Sequence, residues 1–182
     1  MSVDDGEQLL ELIKLNSTRN GAAMRAYVIG VLKDEVDVLV IAALQARVTH
    51  NTQLAVEAAQ AVALMAHYFI YQKGGQQQVG TYLESRLGGS WNTPWQGEVG
   101  MTANEAVQAA VTLIKQETSL SQMLRQAINF GGDVDTVAAI TLGCASRCTT
   151  VQDDLPAFLV NQLENGPYGR DYLQRIDNQL FS

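Results

Sequence analysis

An all-α fold, a single multi-helix domain over residues 1–182, is what this sequence predicts, and three observations lead there. Apolar residues recur at helical spacing in successive runs, most of them longer than ordinary strands. The run that alternates like a strand, Val36, Val38 and Val40, continues through Ala42-Ala43-Leu44, and that length favours helix. Residues 52–71 are apolar around most of their circumference, the pattern of a central, buried helix. Composition agrees: 47% hydrophobic and 17% charged residues suit a globular chain able to bury a sizeable core.

Taken in order, Asp4 and Asp5 open a short amphipathic run in which Leu9, Leu10, Leu12 and Ile13 are apolar and Asn16 is the stop. Residues 17–21 are a polar turn, and helix resumes over 22–32 and again over 36–48. In the 52–71 helix, Ala55, Ala58, Ala59 and Ala61 admit close neighbours, and His67 reads as a core or boundary histidine. A Gly/Gln loop over 73–80 leads to a short helix over 81–87. The longest irregular stretch, 88–100, carries Trp91, Pro94 and Trp95, which either wall a pocket or pin the loop to the core. Thr102 and Glu105 have capping-box spacing for a helix to about Glu117. Helices over 119–129 and from Val134 follow. Asp153-Asp154-Leu155-Pro156 then starts a helix, with Pro156 in its first turn and Gly166 as its end, and residues 168–180 close the chain.

Charge and composition exclude some functions. The net charge of −7 argues against non-specific binding to nucleic acid or anionic membrane, both of which need basic patches. No apolar stretch has transmembrane length, and Asp4, Asp5 and Glu7 stand where a signal peptide would be basic. A cytoplasmic location is the resulting expectation. Cys144 and Cys148 are four apart on a helical pattern, poor disulfide geometry, and read as small buried residues of a reducing compartment.

Chemistry concentrates in Gly131-Gly132-Asp133-Val134-Asp135-Thr136. Two glycines permit a tight turn or a close ligand approach. If the helix starts near Val134, Asp133 sits at its positive end, shares a face with Thr136, and has Asp135 leaning in from the first turn. Two carboxylates and a hydroxyl then meet at one point, the ligand type of a hard divalent cation. An Asp before a helix also serves as an ordinary cap, and Thr can close a first turn, so both readings stand on composition.

Together with the following Val137-Ala138-Ala139-Ile140, this stretch resembles the C-terminal metal motif of the ADP-ribosylglycohydrolase family, which includes dinitrogenase reductase-activating glycohydrolases and J1 crystallins. Upstream, Ser17-Thr18-Arg19-Asn20-Gly21-Ala22-Ala23-Met24-Arg25 is similar to that family's Ser-x-Gly-Asn-Gly-Ala-Ala-Met-Arg segment, and Thr49-His50-Asn51 resembles its Thr-His turn before an Ala-rich helix. The matches keep the family's order and span residues 17–163.

The resemblance implies Mg²⁺ ligation by Asp133, Asp135 and Thr136 beside the glycines 131 and 132. It sets Ser17, Asn20 and Gly21 along the ribose and diphosphate of ADP-ribose, and His50 at the pocket's border. In the family two Mg²⁺ ions lie between this motif and an N-terminal Thr-Asp-Asp, and an ADP-ribosyl bond to a modified side chain is hydrolysed. Two departures qualify this. The N-terminal Thr-Asp-Asp and its acidic catalytic residue lack a clear counterpart, so the chain reads as a shortened form with one weak Mg²⁺ site and no assigned catalytic residue. Ser2-Val3-Asp4-Asp5 has only the paired aspartates, better explained as helix capping. Arg19 replaces the family's glycine, either as an exposed loop residue or as a guanidinium for the diphosphate. Three outcomes remain open: an ADP-ribosylglycohydrolase-type enzyme acting on an ADP-ribosylated substrate, a non-catalytic ADP-ribose binder or structural relative, or one part of a split enzyme. In the last case a second copy or a partner chain brings the missing ligands.

Overall fold

A computed structural model describes Gly6 and residues 15–180. The fold is all-α, as the sequence predicts; no named strand occurs among the described residues, and their extended pairing is limited to isolated bridges. The readings of Ser2 to Asp5 and of the run Leu9 to Ile13 lie outside the described residues.

Everything packs around the alanine-rich helix. We number the helices α1 (Gly21–Met24), α2 (Glu35–Arg47), α3 (Gln53–Ile70), α4 (Val79–Leu87), α5 (Ala103–Gln116), α6 (Leu120–Phe130), α7 (Val134–Ala145), α8 (Ala157–Asn161) and α9 (Arg170–Leu180). Alanines 55, 58, 59, 61 and 63 of α3 are fully buried, so α1, α2, α5 and α7 close on it with little side chain between. Thr52 starts α3 by accepting from the Ala55 N–H at 3.3 Å, and its hydroxyl also donates to the Ser17 carbonyl at 2.9 Å. One bond thus begins the central helix while the other holds the turn that leads to α1. A smaller cluster, Val99, Ala109, Leu113, Ala127 and Val137, lies under the turn between α6 and α7.

Several boundaries differ from the sequence reading, each for a local reason. The helix expected over 22–32 breaks into α1 and a 3-10 turn, Tyr27–Val31. Gly30 there lies so near α3 that a Cβ would come within 2.6 Å of the His67 backbone nitrogen. The close approach depends on a distant segment, which local periodicity does not report. His67 itself is fully buried, with Nδ1 against the Gly30 and Leu32 carbonyls at 3.2 and 2.9 Å.

The capping box at Thr102 is only half formed. Glu105 reaches back to the Gly100 N–H at 2.9 Å, while the buried Thr102 hydroxyl has no hydrogen-bond partner among the described residues. Pro156 precedes α8 at the cap position, since Asp154 is drawn away to the Ser121 N–H and hydroxyl. That helix stops at Asn161, well before Gly166. Helix α4 begins two residues early, at Val79. Cys144 and Cys148 are free and buried, but α7 ends at Ala145, so they do not share a helical face. Trp91 enters the core and pins the 88–100 loop, whereas Trp95 packs on the smaller cluster.

No described helix is long and apolar enough to cross a membrane.

Candidate active site

Residues far apart in sequence meet where the N-termini of α1 and α7 come together. Both Gly131 and Gly132 have φ +75°, and a Cβ on Gly132 would run into the Val99 carbonyl oxygen. That close approach lets two backbone bonds form: Val99 N–H to the Gly131 carbonyl at 3.2 Å, and Asp133 N–H to the Val99 carbonyl at 2.9 Å. Asp133 is thereby fixed as the residue before α7. Its carboxylate makes no cap bond to that helix. It accepts instead from the side-chain amide of Asn20, 113 positions earlier, at 2.5 Å.

Asn20 is buried and positioned by its own backbone. Its N–H donates to the Met101 carbonyl at 3.1 Å, and the neighbouring Arg19 pairs with Thr102 in an isolated bridge. The loop leading into α5 therefore anchors both halves of the junction, α1 through Met101 and α7 through Val99.

Asp135 is exposed and its carboxyl lies beside the Asp133 side chain. That contact, followed by the Thr136 backbone N–H, holds its carboxyl below the usual carboxylate range. Thr136 is 4% exposed and its hydroxyl points to the Met24 sulfur at 3.5 Å. The two carboxyls are thus together, with the third oxygen turned against α1. Among the described residues no group of three or more His, Cys, Asp or Glu is placed to hold a metal ion.

On the other side of Gly21 lies His50. A methyl on Gly21 would meet the imidazole Cε1 at 3.4 Å and Nε2 at 3.6 Å. The ring's opposite edge is held by a relay: Arg25 donates to the Thr49 hydroxyl at 2.6 Å, and that hydroxyl lies 2.7 Å from His50 Nδ1. Accepting from the guanidinium leaves the hydroxyl able to give its proton to Nδ1, the arrangement in which a neutral ring carries its own proton on Nε2, beside Gly21. Partial burial, then the Arg25 charge, push the imidazole below its ordinary value and favour that neutral form.

Ser17 and Arg19 stand apart from this. The Ser17 hydroxyl accepts from the Arg19 N–H at 3.2 Å, closing its own turn, and the Arg19 residue is exposed. Arg25, Thr49, Met24 and Val99 went unassigned in the sequence reading. Arg25 and Met24 end the Gly-Ala-Ala-Met-Arg string and Thr49 precedes His50, so position beside a candidate was the available signal. Val99 carried no sequence signal at all.

A family model for ADP-ribosylglycohydrolase matches residues 3–182. The chain belongs to the ADP-ribosylglycohydrolase family. The match extends beyond the 17–163 span of the motif resemblance and takes in every residue of the α1–α7 junction. No curated protein matches the chain. Membership accords with the all-α architecture and makes ADP-ribosylated molecules the family-level substrate class.

Proposed function

We propose that this ADP-ribosylglycohydrolase hydrolyses an ADP-ribosyl linkage with Mg²⁺ assistance, at a site whose protein ligands are incomplete or rearranged. The observation that supports this most is the Asn20–Asp133 bond, which joins the first and last family-like segments beside a second carboxylate.

The donor chemistry fits a hard cation, since Asp133, Asp135 and Thr136 offer oxygen only. The number falls short, because Mg²⁺ takes about six oxygens and waters or substrate must supply the rest. Two carboxyl groups in contact repel unless a proton or a cation lies between them, so this pair is a natural cation position. Bound there, Mg²⁺ would orient ribose hydroxyls and offset charge as the glycosidic bond breaks. The protein's own part is positional. Asn20 fixes the Asp133 carboxylate, and the Gly131-Gly132 turn, packed against Val99, fixes where Asp133 enters α7. His50 presents a neutral N–H toward Gly21, suited to a phosphate or ribose oxygen.

The test is release of ADP-ribose from ADP-ribosylated protein, with Mg²⁺ and then with chelator, beside calorimetric titration of free ADP-ribose. We expect slow, Mg²⁺-dependent release that falls at least about tenfold in Asp133→Ala and in Asp135→Ala. Release indifferent to chelator would refute the metal's role. Mg²⁺-dependent binding without any release would make the protein a binder rather than an enzyme.

A further inference from the structure

Two side-chain contacts join α1 to α7, and each helix contributes residues one turn apart. Asn20 stands before α1, and its carbonyl accepts from the Met24 N–H at 2.9 Å, closing the turn between them. Asp133 and Thr136 are separated by the first turn of α7 and share a face. The Asn20 amide donates to the Asp133 carboxylate, whereas the Thr136 hydroxyl donates to the Met24 sulfur at 3.5 Å. The second contact therefore runs in the opposite sense to the first.

The residue types dictate those senses. An ionised carboxylate only accepts, so Asp133 needs a donor opposite it. A thioether sulfur carries no proton, so Met24 can only receive one. Thr136 has one proton to give and two lone pairs, and its hydroxyl makes a single hydrogen bond among the described residues, the one to Met24. With the proton on the sulfur side, both lone pairs face away from Met24 and stay unpaired. A side chain with its own N–H or O–H at residue 24 would compete for those lone pairs. Leucine would fill the same space but accept nothing. The hydroxyl proton would then turn to a carboxylate of its own helical turn and occupy an oxygen that a cation needs. Filling the core is not the main role of Met24, which is 36% exposed while Ala22 and Ala23 beside it are fully buried.

We propose that Met24 is a positioning residue for the cation: its sulfur holds the Thr136 proton so that the hydroxyl oxygen is presented to the metal. The inference rests on the metal-assisted reading of the site. Partners of this kind orient a metal's ligands without touching the metal, and their loss costs about tenfold or more in affinity.

Mn²⁺ takes the same oxygen ligands as Mg²⁺ and serves as the probe, with paramagnetic resonance of the unbound ion reading affinity without any turnover. Wild type, Met24→Leu, Thr136→Val and the double variant are titrated, and thermal melting by circular dichroism confirms that each folds. Met24→Leu should bind Mn²⁺ about tenfold more weakly than wild type, and Thr136→Val at least as weakly as Met24→Leu. The double variant should bind no more weakly than Thr136→Val alone, since Met24 acts only through the hydroxyl. Equal or tighter binding by Met24→Leu overturns the proposal and leaves the metal site standing. So does wild-type affinity in Thr136→Val, or a double variant in which the two losses add in full, the mark of a Met24 that acts by packing. A wild-type chain that takes up no Mn²⁺ overturns the proposal together with the metal reading of the site.

Discussion

Gly131 and Gly132 share φ +75° but not their surroundings, and the difference makes a controlled experiment. A Cβ at Gly131 would have only the Glu98 Cγ near it, at 3.8 Å, so Gly131→Ala meets no obstacle beyond the backbone conformation. With ψ 173°, that conformation belongs almost wholly to glycine and costs an L-residue about 1–3 kcal/mol. Gly132→Ala carries a similar conformational cost, and its new methyl also collides with the Val99 carbonyl, which is backbone and cannot swing aside. Relief requires the two segments to separate, which gives up the Val99–Gly131 and Asp133–Val99 bonds. At ~1 kcal/mol each, these add about 2 kcal/mol to the second variant. For a domain of this size that corresponds to melting about 4–8 °C below Gly131→Ala. Thermal unfolding of both variants by far-ultraviolet circular dichroism checks the ordering. If Gly132→Ala melts at or above Gly131→Ala, the bridge does not hold Asp133 in place, and the account of the site fails with it.

Two titration experiments follow from the histidines. His67 is buried, and desolvation, then the Lys73 charge, push its imidazole down from 6.5, with the Gly30 and Leu32 carbonyls acting in the opposite sense. Its native form thus resists a proton that the unfolded chain accepts below pH 6.5, so stability from this residue is present above that pH and is lost as pH falls through the interval down to the native value. Urea midpoints between pH 8 and 5 should fall in the wild type, and fall less in His67→Gln; parallel curves would show that His67 is not responsible. For His50, Arg25→Ala removes the nearby positive charge and the donor that orients Thr49. The imidazole should titrate higher, toward 6.5, by proton NMR, and a lower or unchanged value would break the relay argument.

Periodicity read the long helices well because their causes are local. Helix α3 shows its burial in its own alanines, and α2 outlasts the alternation of its valines. Reading failed where a distant segment decides. Nothing near Ala22 announces that Gly30 must touch α3, and nothing near Asp153 announces that Asp154 is claimed by Ser121. At the site, Asp133 and Asp135 were conspicuous as residues, yet their geometry was not. The choice between a capping Asp133 and one turned toward α1 depends on Asn20, which no window around residue 133 contains. Thr136 shows the same limit, since its rotation toward Met24 follows from how closely α1 packs beside α7.

The bare alanine surface of α3 has a bearing on how variation reaches the site. Helices α1 and α7 both rest on that one rod, so the gap between Asn20 and Asp133 is set by its girth. A long flexible side chain in between would absorb small changes by turning; a methyl group has no such play. An added carbon on the rod would press outward on α1 and α7, the two helices whose N-termini carry the Asn20–Asp133 bond. The junction is calibrated by the smallness of residues that never face the ligand.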